Sequence, residues 1–583
     1  MPIFEFTDEA YLLGKVRQVD TRKISLLVNN DNDLRKARVS QLVTIALSGA
    51  SDSWLIGIID RVIKSVSSSS DANKKESADH EESAEEPDTD SVEPILNSVH
   101  LTLVGSVRWN AYQSQYLFSR SIQHVPEIDS KCYVLRDAQL ESFMKMLSNQ
   151  GDQEYSLELG QYTIDESATA YLDGNKFFQR HAAILGSTGS GKSWTVASIL
   201  ESAAKLPSAN LVVFDLHGEY NALSYAKHLR IQGPDELGTS SEGLLYLPYW
   251  LLNAEEMQAM FIDRSEFSAH NQVMAFQDAV IEQKKATLRN EGKDEVLNAF
   301  TLDSPVPFSI KNVIESVRLL NEEMISGARG LKQGHFFGQF SRLLTRLNSK
   351  LSDNRYGFLF NAPASEHEYD AMANLAAKLM DYSKKGGQIK IIDFSEVPAE
   401  ILPIIVGIVA RILYQIQFWT PHEKRRPLAL VCDEAHLYLP KKDTPNPVEK
   451  RAIEAFEKIA KEGRKYGVAL LVISQRPSDI SPTILSQCNN VIALRLTNAE
   501  DQNTVRKLLP ETLESLLEML PIMDIGEGLV VGDAVLLPSR IKINPPQEKP
   551  LSATIDFWSE WSQKAEKPDF IQAVENMRKQ GRR

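Results

Sequence analysis

Gly186-Ser187-Thr188-Gly189-Ser190-Gly191-Lys192-Ser193 matches the pattern G-x-x-x-x-G-K-[ST] at every fixed position. It follows a short apolar run, Ala182-Ala-Ile-Leu185, and leads into Trp194 to Lys205, which reads as a helix. A phosphate-binding loop requires that strand–loop–helix context. Its glycines let the backbone wrap closely, so that successive N–H groups and the helix N-terminus face negative charge. The candidate nucleotide-binding residues are therefore Gly186 to Ser193 with Trp194 beside them. Lys192 is expected to reach the β- and γ-phosphates of ATP, and Ser193 to ligate Mg²⁺.

Outward from this loop, apolar runs alternate with helical stretches: Leu211-Val-Val-Phe214, Ile389-Lys-Ile-Ile392, Leu428-Ala-Leu-Val-Cys432, Val468-Ala-Leu-Leu-Val-Ile473 and Val491-Ile-Ala-Leu494. Runs of this kind suit a mainly parallel α/β sheet covered on both faces. In such a sheet the carboxyl ends of the strands form the ligand crevice. Asp433-Glu434 closes one run, where Asp433 is a candidate Mg²⁺ partner and Glu434 a candidate for polarising the attacking water. The next run ends in Ser474-Gln475-Arg476-Pro477, which makes Gln475 a candidate γ-phosphate sensor. Another ends in Asp215-Leu216-His217-Gly218-Glu219-Tyr220, so Asp215, His217 and Glu219 are expected around the site without contacting the chemistry. Arg464, at the exit of a helical stripe, and Arg180, just before the P-loop strand, are two candidates for an arginine supplied to another subunit's γ-phosphate.

The remainder bounds the classes open to the chain. It has 583 residues, 43% hydrophobic and 24% charged, as ordinary globular proteins do. The longest apolar run, Ile401 to Ala410, is interrupted by Pro403 and closed by Arg411, whereas a membrane span needs about 20 residues. It reads as a buried core helix. The N-terminus has no basic region ahead of an apolar stretch, so a cytoplasmic protein without membrane partners is expected. Cys132, Cys432 and Cys488 have no metal-ligand or disulfide spacing. Net charge is 64 − 78 = −14, and the stretch 65–94 holds ten acids against Lys74 and Lys75, a local balance of −8. That Ser-, Glu- and Asp-rich stretch is expected to be a disordered insertion, either a solvated loop or a regulatory or DNA-mimicking element. It interrupts residues 1–145, whose short runs, such as Lys23-Ile-Ser-Leu-Leu-Val28 and Trp54-Leu-Ile-Gly-Ile-Ile59, read as a small β-barrel or sandwich. Residues 146–545 read as the ATPase domain, with a helical insertion at about 250–385, and 546–583 as a tail that docks on a surface.

Taken together, Ile184-Leu-Gly-Ser-Thr-Gly-Ser-Gly-Lys-Ser193, the Asp215 to Tyr220 element, Asp433-Glu-Ala-His436, Glu462-Gly-Arg-Lys-Tyr-Gly467 and Ser474-Gln-Arg-Pro477 resemble the HerA family of ring-forming DNA translocases, relatives of FtsK. Leu13-Gly-Lys-Val16 and Ile56-Gly-Ile-Ile59 look like that family's barrel strands, and the tail like the brace that crosses to a neighbouring subunit. The resemblance implies a RecA-like P-loop core, a homohexamer with ATP sites between subunits, and double-stranded DNA in a central channel. On the same basis Arg180 and Arg464 match arginines near intersubunit sites. Motors of this family work with a nuclease such as NurA, and bacterial relatives with sirtuin-like NADases or other effectors in anti-phage defence. Leu216 departs from the family pattern, where proline is common.

The leading expectation is thus an ATP-hydrolysing DNA translocase or helicase serving as the motor for a separately encoded effector. The alternative is an ATP-binding ring that assembles and gates the effector with little movement on DNA. Acidic overall charge favours the alternative mildly. Basic residues such as Lys284, Lys285, Arg342 and Arg346 are available for a channel, but no pattern assigns them to one.

Overall fold

In the computed structural model, alternation along Lys23–Val28 turns Ile24, Leu26 and Val28 inward together, and the neighbouring strands repeat the device. The structure describes all residues except 1–3, 5, 7–8, 48–52, 67–94, 150–155, 234–235, 237–240, 242, 328–329, 384–385, 442–446, 509–513, 553–555, 564–569 and 580–583. Strands β1 (Leu12–Asp20), β2 (Lys23–Val28), β3 (Leu42–Ala46), β4 (Ser53–Val66), β5 (Ile95–Asn110), β6 (Gln115–Ser119) and β7 (Lys131–Val134) are antiparallel in the order β2-β1-β7-β3-β4-β5-β6. Because β5 also pairs with β2, six strands close into a barrel and β6 extends it. Closure removes the free edges that would otherwise invite pairing with another chain. The β1–β7 ladder shifts register at Gly14, whose missing side chain matters: a Cβ there would lie 2.4 Å from the Leu27 carbonyl oxygen. Strands β4 and β5 stay paired up to Val66 and Ile95, the two ends of the acidic stretch. Residues 67–94 themselves, and with them the expectation of disorder, lie outside the described residues.

This barrel belongs to a compact unit of residues 1–175 and 495–544; the second unit comprises 176–494 and 545–583. The division differs from the expected boundary near 145. Strand β8 (Ser156–Tyr162) pairs with β9 (Asp165–Asp173) and, on its other side, with Ser539–Ile543, which in turn pairs with Glu527–Gly532. Such a ladder joins stretches far apart in the chain, so no local pattern announces it.

The second unit holds an eight-stranded sheet, parallel throughout: β10 (Ala182–Leu185), β11 (Leu211–Asp215), β12 (Lys227–Ile231), β13 (Leu244–Leu245), β16 (Ile389–Asp393), β17 (Leu428–Cys432), β18 (Val468–Ser474) and β19 (Asn490–Leu494), ordered β13-β12-β16-β11-β17-β18-β10-β19. Its central strands are buried end to end, as near-continuous apolar runs demand. The numbering gap is an exposed hairpin, β14 (Met324–Gly327) with β15 (Gly330–Gln333), too short and polar to have been read in advance. Otherwise the stretch from Ala254 to Met380 is helical, as expected. The helix Leu402–Trp419 extends the apolar run past Arg411. By length and composition it is long and apolar enough to cross a membrane, and 67% of it is buried within the protein. Arg411 is tolerated there because Glu256 takes both its Nε (2.7 Å) and an Nη (2.8 Å). Gly407 lets this helix meet Pro447–Glu462 closely, since a Cβ would sit 2.9 Å from Ala452 Cα.

The basic residues considered for a channel are mostly committed elsewhere. Lys284 is fully buried and donates to the Leu302 and Ser304 carbonyls at 2.8 and 2.6 Å, and burial pushes its pKa down to about 8. Lys285 pairs with Glu282, and Arg346 with Glu266 and the Phe261 carbonyl. Arg342 is exposed.

Candidate nucleotide site

Strand β10 ends at Leu185 and the helix Lys192–Ala204 begins seven residues later, with left-handed backbone at Gly189 (φ 72°) and Gly191 (φ 104°). Those two glycines turn successive N–H groups toward one side, forming a concavity for anionic oxygens. Gly186 is needed for a different reason: a Cβ would meet Ser190 Oγ at 2.5 Å and Leu494 Cβ at 2.8 Å. Its N–H donates to the Ser474 carbonyl at 3.2 Å, tying the loop to the end of β18. Lys192 is buried, and its ammonium donates to the Ser187 carbonyl at 3.2 Å. Burial pulls its pKa down while the Glu434, Asp433 and Glu219 carboxylates pull it back up. Ser193 is half-buried and Trp194 partly exposed at the outer lip.

The parallel register brings the ends of five strands to this edge, because each terminates within a residue or two of its neighbour. Asp433 follows β17 and is buried; its carboxylate accepts the Glu434 N–H at 3.0 Å. Burial, then the neighbouring Glu434, Asp215 and Glu219, hold the Asp433 pKa well above the usual carboxylate range. Glu434 adopts a left-handed backbone (φ 42°, ψ 45°), uncommon for a side chain of this kind, and its pKa is raised by burial. Its Oε2 is buried without a hydrogen bond, although His436 Nδ1 stands 3.3 Å away. Burial lowers the His436 pKa, which favours its neutral form. Gln475 closes the group: Thr188 Oγ1 of the P-loop donates to its Oε1 at 2.5 Å.

Asp215, at the end of β11, is fully buried and accepts the N–H groups of His217 (3.3 Å), Gly218 (2.8 Å), Glu219 (3.1 Å) and Tyr220 (2.9 Å). Its job is to hold the turn that carries His217 and Glu219. Burial nonetheless raises its pKa to about 6, helped by the Asp393 carboxylate opposite it in register on β16. Asp393 was not singled out from sequence, yet it closes the apolar run Ile389–Ile392 as Asp433 and Asp215 close theirs, and that signal was available. It accepts from Asn221 Nδ2 at 2.9 Å and the Ser395 N–H at 2.8 Å.

Arg180 and Arg464 are the two candidates that the fold keeps away from this group. Arg180 precedes β10, and Arg464 lies on the turn Gly463–Tyr466 that precedes β18, so both occupy the amino edge of the sheet. With a rise of about 3.3 Å per strand residue, that edge is more than 10 Å from the P-loop of the same chain.

Mg²⁺ and nucleotide suit these residues. Several buried carboxylates face a single lysine, and a Glu434 oxygen is left unpaired. Added positive charge would favour the ionised form of these groups, which burial disfavours. Among the described residues no group of three or more His, Cys, Asp or Glu forms a metal cage; Mg²⁺ held chiefly by phosphates, with Ser193 and Asp433 as its protein partners, needs none.

Comparison with known proteins agrees with this arrangement. The family model described as the central domain of helicase HerA matches residues 157–413, and the one described as the HerA-like C-terminal domain matches 419–537. The DNA double-strand break repair helicase HerA of Saccharolobus solfataricus is 25% identical over 434 residues, covering 73% of this chain and 75% of that protein. The protein of the same name from Pyrococcus furiosus is 27% identical, with 66% and 69% covered. Among solved structures, VirB4 of Thermoanaerobacter pseudethanolicus shares 18% identity at a TM-score of 0.44, covering 68% of this chain and 97% of that one, too distant to bear on function. The two HerA models span well over half of the sequence and meet the P-loop and the Asp433-Glu434 pair within their bounds, and the chain accordingly belongs to the HerA helicase family and is an ATPase.

Proposed function

We propose that the protein is a ring-forming, ATP-driven translocase on double-stranded DNA, built as a homohexamer and acting as the motor for a separately encoded effector such as a nuclease. The observation that carries this reading is the split of the catalytic candidates between two edges of one sheet. Lys192, Ser193, Asp433, Glu434 and Gln475 gather at the carboxyl edge, while Arg180 and Arg464 stand at the amino edge. Arginines held at the far edge of their own sheet can serve a γ-phosphate only in another copy, so Arg180 or Arg464, if either acts, acts at a site between subunits. Lys192 neutralises the β- and γ-phosphates, Asp433 and Ser193 hold Mg²⁺, and Glu434 takes a proton from the attacking water. Gln475 exchanges its Thr188 partner for the γ-phosphate. Mg²⁺ held by Ser193 and Asp433 would supply positive charge against the negative charge that develops during transfer. HerA relatives named as DNA repair helicases support DNA as the track. A cytoplasmic location and a role in anti-phage defence belong to the same proposal.

Arg180→Ala and Arg464→Ala test the split. If one of these arginines acts in trans, its alanine variant alone loses roughly 10³–10⁵-fold in turnover. Mixed one to one with Glu434→Gln subunits, about a quarter of the head-to-tail interfaces regain an intact arginine opposite an intact base, and activity returns. Absence of rescue at every mixing ratio for both variants rejects the intersubunit site.

The second reading, a ring that gates an effector without moving on DNA, is favoured by one finding: Lys284 is buried on two carbonyls, and Lys285 and Arg346 are engaged by the chain's own Glu282 and Glu266. ATPase rate with linear duplex DNA across a salt series separates the two. A motor that grips 6–10 phosphates loses about 10³–10⁵-fold in affinity between 50 and 200 mM salt, and its DNA stimulation fades accordingly. A rate indifferent to DNA at every salt concentration supports the gating ring.

A further inference from the structure

Past the second unit's sheet, residues 547–551 return to the nucleotide site of their own chain and are fastened there at four points. The Gln547 N–H donates to the Glu201 carboxylate at 2.8 Å, on the helix that follows the P-loop. Glu548 accepts both the N–H and the hydroxyl of Ser224 at 2.5 Å. The Leu551 N–H donates to the Glu219 carbonyl at 2.6 Å, on the turn held by Asp215. Between these anchors Lys549 places its ammonium 5.4 Å from the centre of the Trp194 ring. Pro546 and Pro550 bracket the stretch, fixing its backbone torsions in advance and lowering the entropy lost on docking.

The position of Trp194 gives this strap a purpose. Trp194 directly follows Ser193, so phosphates seated on the P-loop leave the base and ribose to emerge at the helix start, where an indole is 37% exposed. An aromatic face there offers stacking to a base, and the ammonium beside it offers a hydrogen-bond donor to the ribose. Among the described residues Lys549 makes no ion pair with a carboxylate, which leaves its ammonium available. We propose that Trp194 and the strap Gln547–Leu551 form the nucleoside end of the nucleotide site, so that nucleotide occupancy tightens the strap. The inference rests on the nucleotide reading of the P-loop and extends it to the base. It also gives the bound nucleotide a physical connection to the C-terminal helix Phe557–Ser562, whose Phe557, Trp558 and Trp561 are exposed.

Hydrogen exchange on the full chain, with and without MgADP, tests this, with the P-loop as internal reference and Lys192→Ala as control. The expected result is slower exchange at the P-loop and at the Gln547 and Leu551 amides together, lost together in the control. Protection of the P-loop with an unchanged strap overturns the inference and leaves the nucleotide site standing. Protection of neither overturns both. Affinities for ADP and for tripolyphosphate, which has no base or ribose, provide the second measurement. Trp194→Ala and Lys549→Ala are each expected to weaken ADP binding roughly tenfold and leave tripolyphosphate unaffected. Equal loss for both ligands assigns these residues to the phosphate end, and no loss for either removes them from the site; each outcome rejects the proposal.

Discussion

Lys192→Ala is expected to abolish ATP turnover, by at least about 10³-fold, since phosphoryl transfer depends almost wholly on positioning and charge stabilisation. The structure makes the effect larger than the loss of one surface lysine. Lys192 is buried and is the cation that balances Glu434, Asp433 and Glu219. Without it an ATP tetra-anion enters a pocket already lined by carboxylates, and affinity falls along with rate. Removing a buried cation also disturbs its neighbours, so Lys192→Met, which keeps most of the aliphatic stem, separates the chemical role from packing. Steady-state hydrolysis, ADP titration and a thermal melt together decide the matter. A variant of either kind that folds normally and turns over at the wild-type rate removes the P-loop from the mechanism.

Glu434→Gln is expected to slow hydrolysis by roughly 10²–10⁴-fold, the range that a positioned general base contributes, while ATP binding is retained or tightened. Tightening follows from charge: the substitution removes a carboxylate from beside Asp433, whose pKa is raised by burial first and by Glu434 next. The exchange is nearly isosteric and relieves the desolvation of an unpaired oxygen, so the fold is expected to hold. Single-turnover hydrolysis beside equilibrium ATP binding gives both numbers. Wild-type turnover reassigns the base, with Glu219 the next carboxylate at hand. Equal loss of binding and rate instead points to a structural part for Glu434, resting on its left-handed backbone.

What could be read from the sequence was local. The P-loop, the Asp433-Glu434 pair and the strands that end in them are contiguous motifs, and each strand's apolar run told its burial. The β-rich character of the first 145 residues was legible from their short apolar runs, whereas closure of the barrel rests on the pairing of β2 with β5. Less legible were features made by chain segments that meet only on folding. Asp215 was placed near the nucleotide, but four backbone donors converge on it, a fact that resides in the turn geometry. Lys284 stood among the basic residues available for a channel and is a core residue, because two carbonyls from the Leu302–Ser304 turn satisfy it. Nothing in Gln547–Leu551 beyond its prolines indicated a return to the P-loop helix. The amino-edge position of Arg180 and Arg464 required strand order as well as strand identity.

Synthesis runs in one direction, and the ladder between Tyr162 and Ile541 spans 541 − 162 = 379 positions of it. At about 5–20 residues per second, β8 and β9 leave the ribosome some 20–75 s before the strand that completes their sheet exists. For that interval β8 presents an unfinished edge while the whole eight-stranded ATPase sheet is made and folds. The barrel ahead of it closes through ladders among its own strands, while Ser40 and Arg120 still await their partners Met519, Gly532 and Leu536. The birth order is therefore barrel, then motor, with the segment that returns to the first unit last. A chain truncated anywhere before residue 539 is left with an open strand and a natural mark for quality control.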